Sequence, residues 1–397
     1  MSDIIVMIKK IIAKILVGVE YACSTDLKKY SKSAWYENKI PEVEPVEIFT
    51  AANLLEPTQS DWKTYNRIEY SGVSIVSMIK IVMFESLNGY HHQQARKAMV
   101  CTEHYRPFKY PYSMNMVYTF KFMRHILKLL NKKKKGVVAG SAALLGNRVY
   151  DNTNYYHFWV DVISDIWYLK NNIPASEFPD YYLVPFAGLD WQWDILNTCG
   201  LSENQVIPYD RYDFISIEKL IIPIRDKGVA NLPSWLSRAI HEMSSWSPKG
   251  EKKERLIFIS RADANRRRVV NEAVIRERLL NEGFEVHTLV GLSLREQQYL
   301  FASASIICAP HGAALTNLVW CRPGAIVIDF LSENHLPPCF KELAEQNGVI
   351  YYPYICQQVE GKEEGLRGDI YISDQQVDSV LNVVVQHASR SDNILED

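Results

Sequence analysis

The amino-acid sequence predicts an α/β protein of two Rossmann-like, doubly wound domains preceded by an amphipathic helix. Three observations lead to that class. At 397 residues the chain exceeds what one hydrophobic core usually organises, so two cores are expected. Short apolar runs alternate with helical stretches from about residue 136 onward, the pattern of parallel strands joined by crossover helices. Residues 306 to 330, IICAPHGAALTNLVWCRPGAIVIDF, read as strand, turn, helix, turn and strand with the turn chemistry in place.

Composition limits the function classes. A hydrophobic share of 47% against 23% charged residues excludes extensive disorder. The formal net charge of -2 gives no electrostatic case for nucleic-acid binding. The seven cysteines are scattered and never spaced CxxC, which indicates neither a zinc site nor a disulfide framework and fits a reducing, cytoplasmic compartment.

The elements follow in order. Residues 1–45 read as an amphipathic helix and linker. Ile4, Ile5, Ile8, Ile11, Ile12, Ile15, Leu16 and Val19 share one helical face and Lys9, Lys10 and Lys14 the other, and those lysines interrupt the run before the ~20 residues that span a bilayer. An anionic membrane surface is the expected partner, placing the protein peripherally at the inner face of the cytoplasmic membrane. The alternatives are packing on its own domain or on a second subunit, as a homodimer. Residues 46–225 form the expected N-terminal, acceptor-side domain. It holds a helical pattern over 114–135, a strand over Gly136–Gly140, a helix beginning near Asn154, a strand from Tyr181 to Pro185, a helix around Trp191 to Cys199, and strands near Gln205–Ile207 and Leu220–Pro223. A charged, Ser/Pro/Gly-containing stretch within 226–254 marks the boundary with the C-terminal domain, 226–397.

That second domain reads as strand Arg255–Arg261, helix Arg267–Glu282, strand Phe284–Leu289, helix Ser293–Ala304, and then the 306–330 unit, in which strand Ala325–Phe330 ends at the carboxylate Asp329. Ligands of such sheets sit beyond the carboxyl ends of the strands, where Ser260, Arg261, His311, Gly312 and Asp329 fall. Gly312 allows close approach of the backbone, and a helix starting there aims unpaired N–H groups at a diphosphate. An ordinary βαβ unit explains that turn but leaves His311 and Asn317 needing partners. The run RADANRRRVVNE concentrates Arg261, Arg266, Arg267 and Arg268, and guanidinium groups suit phosphate oxygens.

In the first half, Asn154, His157 and Asp161 are spaced three and four apart along one helix side. A carboxylate one turn after a histidine fixes its tautomer and raises its basicity, as a general base requires. A half-exposed amphipathic helix with incidental polar residues is the bland alternative. No GxGxxG or GxxxxGK[ST] is present, and no Asp-x-Asp pair offers itself to a metal-bound diphosphate.

The combination of N-x-x-H-x-x-x-D with SR…RR..NE…S-x-x-E-Q…HGA-x-L-T-N…PG…D resembles the family 61 glycosyltransferases, which include bacterial capsule-type, plant wall and animal protein-modifying enzymes. It covers roughly residues 137 to 355. The strand after PG usually ends in glutamate in that family and here ends in Asp329, and Ala314 replaces a common glycine. The resemblance implies a GT-B architecture and metal-independent, inverting transfer from a nucleotide-sugar donor, with no cofactor, to a glycan, lipid-linked or protein acceptor in surface polysaccharide synthesis. His157 or Asp161 is then the expected base. Arg261, Arg266 and the amides of Gly312, Ala313 and Ala314 would hold the diphosphate, with Asn154, Ser260, Gln297, His311 and Asn317 beside the donor and Glu296 or Asp329 on ribose. A polysaccharide pyruvyltransferase, or a non-catalytic assembly protein with this fold, are the competing readings.

Overall fold

A computed structural model describes residues 135–146, 153–223, 232–246, 254–264, 266–359 and 367–394, with the strand segments 44–45, 67–70, 73–87, 94–102 and 108–109. The amphipathic segment 4–19, its linker and the helical pattern over 114–134 lie outside the described residues. The chain divides into two compact units. One gathers residues 1–150, 172–185 and 204–226, the other 151–171, 186–203 and 227–397.

In the first unit β1 (Glu44–Pro45) pairs with β5 (Phe108–Lys109). The main sheet contains β2 (Arg67–Tyr70), β3 (Val73–Leu87), β4 (Gln94–Thr102), β6 (Lys135–Leu144), β7 (Tyr181–Val184), β8 (Val206–Pro208) and β9 (Phe214–Pro223). Its order is β2-β3-β9-β6-β7-β8, with β4 also on β3. The parallel sheet expected here is mixed. Strands β9, β6, β7 and β8 run parallel, whereas β3 is antiparallel to β2, β4 and β9. Only residues 71–72 separate β2 from β3, which is far too short for a parallel crossover. Val138, Leu144, Leu183, Ile215 and Ile217 form the centre of its core.

In the second unit β10 (Arg255–Ile259), β11 (Phe284–His287), β12 (Ala304–Pro310), β13 (Ile326–Ser332) and β14 (Ile350–Gln358) are all parallel, and β15 (Ile370–Tyr371) adds an antiparallel edge. The order β11-β10-β12-β13-β14-β15 is that of a doubly wound sheet, in which the first and third strands flank the switch point. A ligand crevice is therefore expected beyond the ends of β10 and β12. Every residue of β12 and β13 is buried, the continuous apolar run expected of a strand covered on both faces.

Helix α1 belongs to this second unit, although the sequence placed it with the first half. It runs as an α-turn (Tyr155–His157), a π-helical stretch (Phe158–Ile163) and an α-helix (Ser164–Asn172). Its aromatic residues account for the placement. Trp159 packs edge-on to Trp320, and Tyr156 edge-on to Phe340. The remaining helices are α2 (Asp190–Thr198), α3 (Leu236–Ser244), α4 (Glu272–Asn281), α5 (Leu294–Ala302), α6 (Cys339–Gln346) and α7 (Asp374–Ile394).

Three elements differ from expectation. Helix α4 starts five residues after Arg267, because Arg267, Arg268 and Val269 bond instead to the segment around β15: Arg267 N–H to Arg367, Arg268 N–H to Asp369, and Val269 in a bridge with Ile370. The segment after Gly312 is a 3-10 helix, Ala313–Trp320, and not an α-helix. Strand β13 continues to Ser332, so Asp329 lies inside it and not at its end.

Candidate active site

The phosphate-type chemistry collects at the switch point. Arg261 follows β10, Gly312 follows β12, and a Cβ placed on Gly312 would stand 1.9 Å from Arg261 Nη1. The Gly312 backbone is extended (φ 176), so no special dihedral calls for glycine, and a larger residue would have to displace the Arg261 guanidinium that lies against it. Arg261 Nη2 donates to the Arg266 carbonyl at 3.1 Å. Arg267 adopts φ 54, and its Nε, like that of Arg261, is buried without a hydrogen-bond partner among the described residues. Burial, then repulsion from Arg261 and Arg266, pushes Arg267 down to about 9, and burial with Arg266 lowers Arg261 as well. Three arginines thus crowd one crevice, where the Nε groups of Arg261 and Arg267 are short of hydrogen bonds. An anion with several oxygens relieves both deficits.

Two histidine–carboxylate dyads stand beside it. His157 Nδ1 meets Asp161 Oδ2 at 2.8 Å, with the histidine 21% exposed and the aspartate 1%. The Asn154 side chain caps the turn by accepting from the His157 N–H. Across the π-helical stretch the pair still closes, and such stretches often occur at functional sites. The second dyad joins His311 Nδ1 to Asp329 Oδ2 at 2.9 Å, and Tyr351 Oη donates to the same oxygen at 2.7 Å. Burial and the Asp329 charge hold the Tyr351 phenol far above its ordinary value, so it stays a donor. Phe340 separates the dyads, touching Tyr156 on one side and His311 on the other. In each dyad the carboxylate holds the proton on Nδ1, leaving the Nε2 lone pair for chemistry.

Asn317 answers its need for partners within the protein. Its Oδ1 accepts from Tyr155 Oη at 2.9 Å and Trp320 Nε1 at 3.0 Å, and its Nδ2 donates to Gln297 Oε1 at 3.2 Å and the Ala314 carbonyl at 3.1 Å. It is fully buried, so this residue ties α1 to the 3-10 helix and leaves a ligand nothing to satisfy. Gln297 belongs to the same joint, its Nε2 donating to the Leu292 carbonyl. Glu296 forms a capping box with Ser293 at the exposed start of α5. Ser260 donates to the buried Glu272 carboxylate and accepts from the Ala262 N–H. Asp329 is fully buried inside its strand behind His311, its Oδ2 shared by His311 and Tyr351 and its Oδ1 without a hydrogen-bond partner among the described residues. Arg261, Arg266, Gly312 and Ala313 are brought to one crevice; Glu296 is occupied elsewhere.

Residues 155–328 match the family model described as Glycosyltransferase 61. The chain carries a family 61 glycosyltransferase domain. That domain indicates a glycosyltransferase, and a glycosyltransferase would bind a nucleotide-sugar donor and an acceptor. A comparison with curated proteins finds no match. The matched segment runs from Tyr155 on α1 to Ile328 on β13, so the two halves of the sequence signature that fall within it lie in one compact unit of the glycosyltransferase. Residues beyond it complete the site. Asp329 and Tyr351 hold His311, and His335 stands edge-on to the His311 ring at 5.7 Å. Sequence reasoning found the arginine run but singled out Arg261 and Arg266 over Arg267, and it had no signal for His335 or Tyr351, which depend on strand register and a turn. Among the described residues, no group of three or more His, Cys, Asp or Glu is arranged to hold a metal ion, and no helix is long and apolar enough to cross a membrane.

Proposed function

We propose that this glycosyltransferase is a metal-independent, inverting enzyme of GT-B architecture. It moves a sugar from a nucleotide-sugar donor to a glycan, lipid-linked or protein acceptor in surface polysaccharide synthesis. Its place is the inner face of the cytoplasmic membrane, held there by the basic N-terminal segment. The observation carrying the reading is one compact unit that holds both a triple-arginine crevice at the switch point and a histidine–aspartate dyad with a partly exposed ring.

Asp161 accepts from His157 Nδ1–H and fixes the tautomer, so Nε2 can take the acceptor hydroxyl proton. As that proton leaves, the acceptor oxygen bonds to the anomeric carbon and the bond from that carbon to the diphosphate breaks on the opposite face. Direct displacement inverts the centre. Arg261, Arg266 and Arg267 take up the charge of the departing diphosphate, supplying the positive charge that a cation provides in metal-dependent transferases.

Turnover and binding separate these roles. Asp161→Asn and His157→Ala are expected to keep nucleotide affinity while transfer falls ~10²–10⁴-fold, and the double variant to be little worse than the poorer single one. Activity is expected to persist in EDTA. Near wild-type transfer by either folded variant removes that residue from the base, and loss in chelator restored by manganese or magnesium contradicts the metal-free step.

A further inference from the structure

His335 is a polar side chain that neither dyad uses. It lies in the turn after β13, closed by its N–H to the Ser332 carbonyl at 2.9 Å, on the carboxyl side of the sheet where ligands of this topology sit. Its ring packs edge-on against His311 at 80°. It is partly exposed and makes no side-chain hydrogen bond among the described residues. The charged and titratable groups facing it are His311, Arg267 and Asp329. Burial, followed by His311 and Arg267, pushes its imidazole down to about 4, so the ring is neutral at physiological pH and carries a free acceptor nitrogen.

Solvent-facing acceptors are otherwise scarce among the described residues of this crevice. Arg261, Arg266 and Arg267 offer only donors, Asp329 Oδ2 is taken by His311 and Tyr351, and Asp329 Oδ1 and His311 Nε2 belong to buried side chains, whereas His335 is partly exposed. A nucleotide sugar presents two kinds of group in such a place: diphosphate oxygens, which accept, and flanking hydroxyls, which must donate. The guanidiniums match the first kind and the His335 imidazole matches the second.

We propose that His335 is a specificity-determining residue of the donor site, accepting a hydrogen bond from a donor hydroxyl next to the diphosphate. This rests on the donor-site reading above. The hydroxyl belongs to the ribose or to the transferred sugar, and the ligand series tells them apart.

Calorimetric titration compares wild type with His335→Ala and with His335→Phe, which keeps ring packing on His311 but has no acceptor. The ligands are inorganic pyrophosphate, the tightest of UDP, GDP, ADP and CDP, its 2′-deoxy and 3′-deoxy forms, and its nucleotide sugars. Pyrophosphate affinity is expected to stay within about twofold, while a hydroxyl-bearing ligand loses about tenfold, the size of one neutral hydrogen bond. Loss already on the nucleoside diphosphate, absent for one deoxy form, assigns that ribose hydroxyl; loss confined to the nucleotide sugar assigns the sugar. Equal losses on pyrophosphate, or no loss on any ligand in both variants, overturn the assignment while leaving the donor site intact. If the wild type binds neither pyrophosphate nor any nucleotide, the donor reading falls and this one with it.

Discussion

Arg261 and Gly312 come from different strands yet behave as one feature, because the guanidinium occupies the space where any larger residue would place its Cβ. Arg261→Ala is expected to weaken nucleoside diphosphate binding by roughly 1.5–3 kcal/mol, the range for a hydrogen bond to a charged group. Gly312→Ala should act in the same direction by displacing that guanidinium, and the double variant should add little to the worse single. Additive losses in titration would mean that Gly312 serves the ligand independently. At this scale the sequence identified residue types well. It read His311 and Asn317 as polar groups in need of partners, and both have them. What it could not supply was the identity of those partners. Asp329 lies 18 residues from His311 and Tyr155 lies 162 from Asn317, distances that only strand register and helix docking bridge.

Helices and strands were legible where pattern and local chemistry agreed. The alternating strands of the second unit emerged in order, and Ser293 stood at the start of a helix as expected. The departures share a cause, which is tertiary hydrogen bonding overriding local preference. The arginine run looked like a helix start, but its backbone bonds to the chain around β15. The segment after Gly312 tightens into a 3-10 helix, with Asn317 drawn into four hydrogen bonds from its own turn, α1 and α5. The S-x-x-E-Q signature also divides physically. Gln297 joins the Asn317 cluster, whereas Glu296 caps its helix, its carboxyl lowered by bonds from Ser293. Ser293→Ala is therefore expected to lower stability by about 0.5–2 kcal/mol in urea unfolding. Glu296→Ala should leave nucleotide affinity unchanged; a clear loss of affinity would return Glu296 to the ribose.

Two features concern the protein as a whole. The sequence from Ile4 to Val19, read as a helix, would set an apolar face against three lysines, and salt-sensitive binding to anionic vesicles is expected through it. Co-sedimentation unchanged by deleting residues 1–20 would reject this.

The arginine crevice sets site against stability. Because folding lowers Arg267 from its ordinary value to about 9, the unfolded chain holds that proton more tightly, and below about 9 the charged side chain opposes folding at constant strength. Stability is withheld across the whole neutral range, and a bound diphosphate returns part of it. A ligand at a hundred times its Kd stabilises by about 2.7 kcal/mol. Arg267→Met removes the buried charge, retains an unbranched side chain and adds no new demand at φ 54. Its ligand-free melting temperature should equal or exceed that of the wild type, while the rise produced by pyrophosphate shrinks. A lower ligand-free melting temperature would show that the folded protein already satisfies the Arg267 charge, and the crevice would then be a structural ion cluster and not a site kept ready for an anion.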